Sequence, residues 1–238
     1  NDEARIGALR FKVQGSPEYV ESRNPLSQDI DLVIDAALRF DDDDATEFDV
    51  QILGGLSSPL GGVRPKVSMI EPEQTPRIVK LWRDQDRKLD VEAWEAIALD
   101  MASEIGLNVP VHRHRRMNQF TSVLYLNRFD RDGNDRIAYQ SMRSALGYSD
   151  VIDHNFSYQE MAEFVAVHCL DPKDQLKQLF LKAAFSIAIN DIDDHPRNLG
   201  FLRMPKGWVL APFFDLNPGF PDSSESSSTW ITREIGRS

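Results

Sequence analysis

The 238-residue chain holds one cysteine, Cys169. That excludes an intrachain disulfide and any Cys-rich zinc site, and it points to a reducing, cytoplasmic setting. No apolar run approaches the ~18 residues that would span a bilayer, and no basic-then-apolar leader opens the chain. Nothing repeats at a fixed period, which excludes solenoids and propellers. The chain starts at Asn1 rather than Met and reads as a piece of a longer protein. Positive charge is also scarce: 27 Lys and Arg stand against 38 Asp and Glu, for a net charge of −11. Direct nucleic-acid binding needs a net basic footprint, so it is disfavoured. The deficit is concentrated early, because residues 1–50 carry thirteen acids and five bases. The run Asp41 to Asp44 reads as a solvated loop. One basic knot, His112-Arg113-His114-Arg115-Arg116, reads as an exposed strand.

What is present is ordinary for a folded protein, with 41% hydrophobic and 27% charged residues. Short strand-like pieces are expected from Ile6 to Val13. A helix is expected from about Gln28 to Phe40, with Ser27 as its N-cap. A loop rich in Gly, Ser and Pro follows over Leu53 to Gly62. Val67 to Ile70 and Ile78 to Trp82 read as strands, as do Val109 to Val111 and Phe120 to Leu126. Between them lies the clearest helix, Val91 to about Ile105, which Asp90 can cap and Gly106 can end. Its apolar Val91, Trp94, Ala98, Met101 and Ile105 share one face.

After the turn signal Asp132-Gly133-Asn134 the pattern becomes helical. Ser157 and Glu160 form a capping box ahead of Met161 to Leu170, in which His168 reads as a core-edge residue. Asp171-Pro172 opens a further helix whose expected apolar face is Leu176, Leu179, Phe180, Ala183 and Ile187. A strand-rich part followed by a helix-rich part indicates an α+β protein of two lobes, residues 1–130 and 131–238, with the seam near 127–133.

The chemistry-bearing residues follow the last helix. Pro196 ends it, so Asp193 to Asn198 form an irregular loop. A hairpin over Gly200 to Leu210 returns the chain to Phe213-Phe214-Asp215. Phosphoryl transfer needs one carboxylate at the attacking hydroxyl, and a second carboxylate with an amide oxygen on Mg²⁺. Asp193 fits the first role, and Asn198 with Asp215 the second. Upstream, Lys80 at a strand end can neutralise phosphate oxygens, and the glycines at Gly61-Gly62 let backbone N–H groups approach phosphate. Glu92 or Glu95 can pair with Lys80. An alternative reading of Asp193, Asp194, His195 and Asp215 is a metal-dependent phosphohydrolase.

Five motifs in order, Gly61-Gly62-Val63-Arg64-Pro65-Lys66, Val91-Glu92 with Gly106-Leu107-Asn108-Val109-Pro110, Asn127-Arg128-Phe129-Asp130-Arg131, Asp193-Asp194-His195-Pro196-Arg197-Asn198 and Pro212-Phe213-Phe214-Asp215, resemble the HipA family. These are serine/threonine kinases, toxins of bacterial toxin–antitoxin systems. The resemblance implies a bilobal protein-kinase-like fold that binds ATP and Mg²⁺ between a strand-rich N-lobe and a helical C-lobe. It makes Gly61, Gly62, Val63, Arg64, Pro65 and Lys66 the phosphate loop and Lys80 the phosphate-contacting lysine. Asn127, Arg128 and Phe129 become the hinge at adenine, and Asp193 the catalytic base. His195, Pro196, Arg197 and Asn198 line the nucleotide, Phe214 precedes the metal loop, and Asn198 with Asp215 binds Mg²⁺. The resemblance also implies a protein substrate of the aminoacyl-tRNA synthetase class, whose phosphorylation inhibits translation, and a DNA-binding antitoxin partner. Pro59 stands where relatives carry a self-phosphorylated serine, beside Ser57 and Ser58. A catalytically dead nucleotide-binding module of the same fold is the second reading.

Overall fold

The computed structural model describes residues 5–19, 30–41, 44–56, 66–70, 76–82, 89–118, 121–148, 157–191 and 193–219. The expected cap Ser27, the segment Ser57 to Pro65 with its phosphate-loop residues Gly61, Gly62, Val63, Arg64 and Pro65, and Phe120 lie outside them. The fold is α+β, with helices and separate antiparallel sheets. It divides into two compact units: Asn1–Ala93 with Val111–Arg136, and Trp94–Pro110 with Ile137–Ser238.

The first unit is a four-stranded antiparallel sheet covered by a helical pair. The helices are α1 (Ile30–Asp41) and α2 (Glu47–Leu56). The strands are β1 (Lys66–Ile70), β2 (Pro76–Lys80), β3 (His112–Arg116) and β4 (Ser122–Asn127), in the order β1-β2-β4-β3. Strand alternation sends Val67, Met69, Val79, Val123 and Tyr125 into one core with Val33, Ile34, Ala36 and Ile52 of the helices. The basic knot is the edge strand β3, largely exposed, where positive charge discourages further strand pairing. Its Arg113 lies 4.2 Å over the Tyr125 ring, and Arg115 pairs with Asp31 at 2.6 Å.

Three expectations change in this unit. Leu53 to Leu56 continue helix α2 rather than opening a loop. The helix survives Gly54-Gly55 because its start is locked. The Thr46 hydroxyl accepts the Asp49 N–H, while Asp49 Oδ2 accepts the Thr46 N–H at 2.9 Å. Arg39, in the last turn of α1, donates from Nε and Nη2 to the same carboxylate. Residues 6–13 form no strand. Guanidiniums hold this segment instead of a neighbouring ladder: Arg128, Arg131 and Arg136 all donate to the Arg5 carbonyl, and the Gly7 N–H donates to Asp130 at 2.6 Å. Finally, Val109 to Val111 are irregular, and the strand begins at His112.

Helix α3 (Val91–Glu104) starts as expected, with Asp90 Oδ1 accepting the Ala93 N–H at 3.2 Å. Gly106, at φ +87°, ends it, and the Leu107 N–H reaches back to the Ala102 carbonyl. Its buried face differs from the expected one. Glu92, Glu95, Ala96, Ala98, Leu99 and Ala102 are buried, whereas Trp94 is 41% exposed and Met101 and Ile105 are also exposed. Three alanines make a weak hydrophobic signal, so the neighbouring stripe of larger side chains dominates the periodicity.

Short hairpin strands β5 (Arg131–Asp132) and β6 (Asp135–Arg136) close the first unit around Gly133, which takes φ +55°. The second unit has a three-stranded sheet of β7 (Tyr139–Ser141), β8 (Gly200–Met204) and β9 (Gly207–Leu210). The expected hairpin is β8–β9, paired from Phe201 and Leu210 to Met204 and Gly207. Its helices are α4 (Met142–Ala145), α5 (Tyr158–His168) and α6 (Pro172–Ala188), besides the α3 residues from Trp94. The Ser157–Glu160 capping box is formed at α5. His168 is exposed and stacks on Phe164, with ring centroids 4.3 Å apart. At α6 the core face is Leu179, Lys182, Phe185 and Ser186, while Phe180 is 71% exposed and Ile187 is exposed too. A lysine therefore sits where the expected stripe placed hydrocarbon. Gln178 staples α6 to the end of α3, accepting the Asn108 N–H at 2.9 Å and donating to the Gly106 carbonyl at 2.8 Å.

Two outcomes test this packing. Arg39 and Thr46 hold the Asp49 carboxyl well below the usual carboxylate range, so its contribution to stability is present above about pH 4 and lost as pH falls below it. Urea unfolding should show a lower midpoint for Asp49→Asn at pH 7, with the gap to wild type constant down to about pH 5 and narrowing progressively as the pH is lowered further. At Gly200, a Cβ would collide with the Tyr139 ring. Gly200→Ala is expected to cost about 1–3 kcal/mol by overpacking. In a Tyr139→Ala background, chemical denaturation should show most of that cost gone.

Candidate active site

The loop that leaves α6 is built by its own hydrogen bonds. Asn190 takes a left-handed conformation, φ +51°, which turns the chain out of the helix. The Asp193 carbonyl then accepts twice, from the His195 N–H at 3.0 Å and from Asn198 Nδ2 at 3.1 Å. The Asn198 N–H closes a further turn onto the His195 carbonyl at 2.9 Å, and His195 Nδ1 accepts the Arg197 N–H. Two donors of the segment entering α4 hold the far side. Arg143 N–H binds the Pro196 carbonyl at 3.0 Å and Met142 N–H binds the Leu199 carbonyl at 2.8 Å. Pro196 and Asn198 are thereby buried, while the Asp193 side chain points outward, 61% exposed, with His195 Nε2 3.5 Å from its Oδ1. Asn198 commits its amide nitrogen to the backbone, so its oxygen is the acceptor, the atom type a hard cation takes.

The segment after β9 returns to this loop. Phe213 is buried, and its N–H donates to the Asn108 carbonyl at 2.8 Å. Asp215 follows at φ +55°, an uncommon conformation for a non-glycine residue that persists only where its surroundings over-determine it. The Asn217 side chain donates to the Asp215 carbonyl at 3.3 Å. Gly219 N–H donates to the Ile189 carbonyl at 3.1 Å. The segment after Asp215 is thus stitched to the end of α6, from which the Asp193 loop leaves.

Behind Asp193 lies a buried polar cluster that hydrophobic periodicity did not reveal. Lys182 Nζ lies 2.9 Å from Asp194 Oδ1 and 3.6 Å from Asp191 Oδ2, and it donates to the Ser186 hydroxyl. Tyr158 OH donates to Asp194 Oδ2 at 2.7 Å. Asp191 Oδ1 accepts the Asp193 N–H at 3.2 Å. Burial pushes the Asp191 carboxyl up to about 7, against the opposing pull of the Lys182 ammonium. Burial beside Asp194 raises the Tyr158 hydroxyl well above its ordinary value, so it stays a donor. The signal that could have located the cluster is a lysine and a serine at i and i+4 on the helix face that also carries Leu179 and Phe185. Both Asp194 oxygens are committed to Lys182 and Tyr158, which removes Asp194 from the ligand set of a phosphohydrolase. Among the described residues, no three His, Cys, Asp or Glu side chains are grouped to hold a metal ion.

The first unit carries the remaining sequence candidates. Lys66 and Lys80 are directly opposed across β1 and β2, hence on the same face, and Lys80 is buried. Two ammonium groups so placed repel each other unless an anion or carboxylate intervenes. Glu92 and Glu95 are both buried, so burial does not choose between them. Asn127 ends β4 opposite Arg77, and Phe129 is half-buried. Arg128 turns inward: Nε and Nη2 bind Asp130 at 2.9 and 2.7 Å, and its N–H binds the Pro76 carbonyl. Cys169 is buried, which pushes its thiol up to about 11 and makes it a poor nucleophile.

No curated protein sequence matches the chain. Among solved structures, HipA of Shewanella oneidensis MR-1, in complex with HipB and operator DNA, is similar at a TM-score of 0.57 and 18% identity, over 78% of this chain and 49% of that one. The Helicobacter pylori proinflammatory kinase CtkA matches at a TM-score of 0.49 and 17% identity, over 63% and 54%. The chain thus spans about half the length of each. Residues 58–237 match the model of the HipA-like C-terminal domain. The chain belongs to the HipA-like C-terminal domain family.

Proposed function

We propose that this chain is the nucleotide-binding and catalytic part of a bilobal HipA-like serine/threonine protein kinase, which transfers the ATP γ-phosphoryl group to a protein hydroxyl. The observation that carries this reading is the pair of stitched loops in the second unit. Asn198 is locked onto the Asp193 carbonyl, and the segment after Asp215 is tied to the end of the preceding helix by the Gly219–Ile189 hydrogen bond. Asp193, exposed and anchored through its backbone, accepts or orients the proton of the incoming hydroxyl. Asn198 and Asp215 offer an amide oxygen and a carboxylate, the sparse hard-oxygen set that Mg²⁺ takes while keeping water and phosphate ligands. When bound, the ion neutralises charge on the phosphates.

Lys80 is the phosphate-contacting lysine in this reading, with Lys66 of the phosphate loop opposite it across β1 and β2. Gly61, Gly62, Val63, Arg64 and Pro65 complete the phosphate loop in this reading. Asn127, Arg128 and Phe129 form the adenine hinge, and His195, Pro196, Arg197 and Phe214 flank the nucleotide. The inward commitment of the Arg128 guanidinium assigns its side chain to holding the hinge rather than to touching the base. The substrate is a protein, an aminoacyl-tRNA synthetase in the family reading. A DNA-binding antitoxin is the expected partner, in line with the HipB and operator DNA bound by the Shewanella protein. With a net charge of −11, DNA contact is assigned to that partner and not to this chain. Among the described residues, no helix is long and apolar enough to cross a membrane.

Two measurements decide. Thermal unfolding with ATP should show a Mg²⁺-dependent rise in wild type that Asp215→Ala lacks. Phosphotransfer from labelled ATP should fall by about 10²–10⁴-fold in Asp193→Asn with the melting temperature unchanged, the range for loss of a positioned acid or base. Full activity in that variant would end the assignment of Asp193.

A further inference from the structure

The direction of Asp193 is set by its main chain, because its side chain stands largely in solvent. Its N–H donates to Asp191 Oδ1 at 3.2 Å, and its carbonyl accepts from the His195 N–H and from Asn198 Nδ2. The next residue is held from two helices at once. Asp194 Oδ1 lies 2.9 Å from the Lys182 ammonium of α6, and Oδ2 accepts the Tyr158 hydroxyl of α5 at 2.7 Å. The Asp194 and Lys182 side chains are both buried. Charge-assisted bonds to separate oxygens fix a carboxylate in orientation as well as in place. The clamp is itself braced on each side. Lys182 donates to Ser186 one turn further along α6, and Tyr158 follows directly on the Ser157 cap, where the Ser157–Glu160 box fixes the start of α5. A carboxylate gripped in this way keeps the Asp193–Asp194 peptide from rotating Asp193 inward.

We propose that Asp194, clamped between Lys182 and Tyr158, is a positioning residue that holds the neighbouring Asp193 outward for its role as base. This rests on the kinase reading and deepens it. In that reading Asp194 touches neither nucleotide nor protein substrate, and it acts only through the backbone it shares with Asp193. Proton transfer needs the accepting oxygen within hydrogen-bond reach of the hydroxyl, and a displacement of ~1 Å costs about 10²-fold in rate. Asp194→Asn keeps an oxygen for the ammonium and an amide donor for the tyrosine oxygen, whereas Asp194→Ala keeps neither.

The test measures kcat, ATP KM and melting temperature for Asp194→Ala and Asp194→Asn, in wild type and in an Asp193→Asn background, with assays run well below each melting temperature. Asp194→Ala should lower kcat by about 10–100-fold with ATP KM within about twofold, and Asp194→Asn should recover most of the loss. In the Asp193→Asn background, Asp194→Ala should cost less than about twofold, because no base remains to be aimed and residues that act as a unit are not additive. An equal loss in both backgrounds marks a general structural role and overturns the proposal, as does an unchanged kcat in Asp194→Ala. Should Asp194→Ala not fold, Tyr158→Phe, which deletes one hydroxyl, carries the same cycle, with a loss of about 3–10-fold in wild type and less than about twofold in Asp193→Asn. If wild type transfers no phosphoryl group, the kinase reading falls, and amide hydrogen exchange decides the clamp by itself. The His195 and Asn198 N–H groups, which close the turns onto the Asp193 and His195 carbonyls, should then exchange at least about tenfold faster in Tyr158→Phe, and unchanged exchange overturns the clamp.

Discussion

A lysine ammonium buried in a helix is the constraint around which the second unit is arranged. Lys182 faces the interior from the middle of α6, and the uncompensated charge would cost several kcal/mol, about 3–5 once a buried partner is lost. The compensation comes from the residues that immediately follow the helix. Asp191 and Asp194 turn back toward the ammonium, which leaves Asp193 between them with nowhere to go but outward. The same charge balance that makes the helix tolerable therefore aims the acid on which the proposed chemistry depends.

The loop gains its shape from backbone hydrogen bonds that this anchoring makes possible. A carbonyl that accepts twice, at Asp193, fixes Asn198 relative to the acid five residues earlier. Left-handed residues at Asn190 and Asp215 supply the sharp turns that a helix exit and a returning strand need. Each costs backbone energy that only surrounding contacts can offset. Asn190 sits beside the Gly219–Ile189 link and Asp215 beside the Asn217 contacts, so the strained points lie next to the stitches.

The first unit solves a different problem with the same means. Its sheet core is conventional hydrocarbon, Val67, Val79, Val123 and Tyr125 against Val33 and Ile34. Its edges are handled by charge: a basic outer strand β3, and an arginine set around Asp130 that captures the N-terminal carbonyls. Two guanidiniums, Arg128 and Arg131, share the buried Asp130 carboxylate there, and desolvation with repulsion from Arg128 and Arg136 pulls Arg131 down to about 10. Carbonyl acceptors on Arg5 and Gly7 make so crowded a cationic cluster sustainable.

Local chemistry was legible in the residues themselves. Asp90 capping α3, the Ser157–Glu160 box, the β8–β9 hairpin and the stop at Gly106 follow from short-range rules, because each needs only neighbours within a few positions. The order of the site motifs was legible for the same reason. What tertiary structure alone decided is which face of each helix is buried. On α3 and α6 the large apolar Trp94, Met101, Phe180 and Ile187 point out, while two glutamates and a lysine point in beside Leu99, Leu179 and Phe185. Periodicity weighs side-chain volume and hydrophobicity, but a buried charge is stabilised by partners elsewhere in the chain, and those partners exist only once the fold has brought them within a few ångströms.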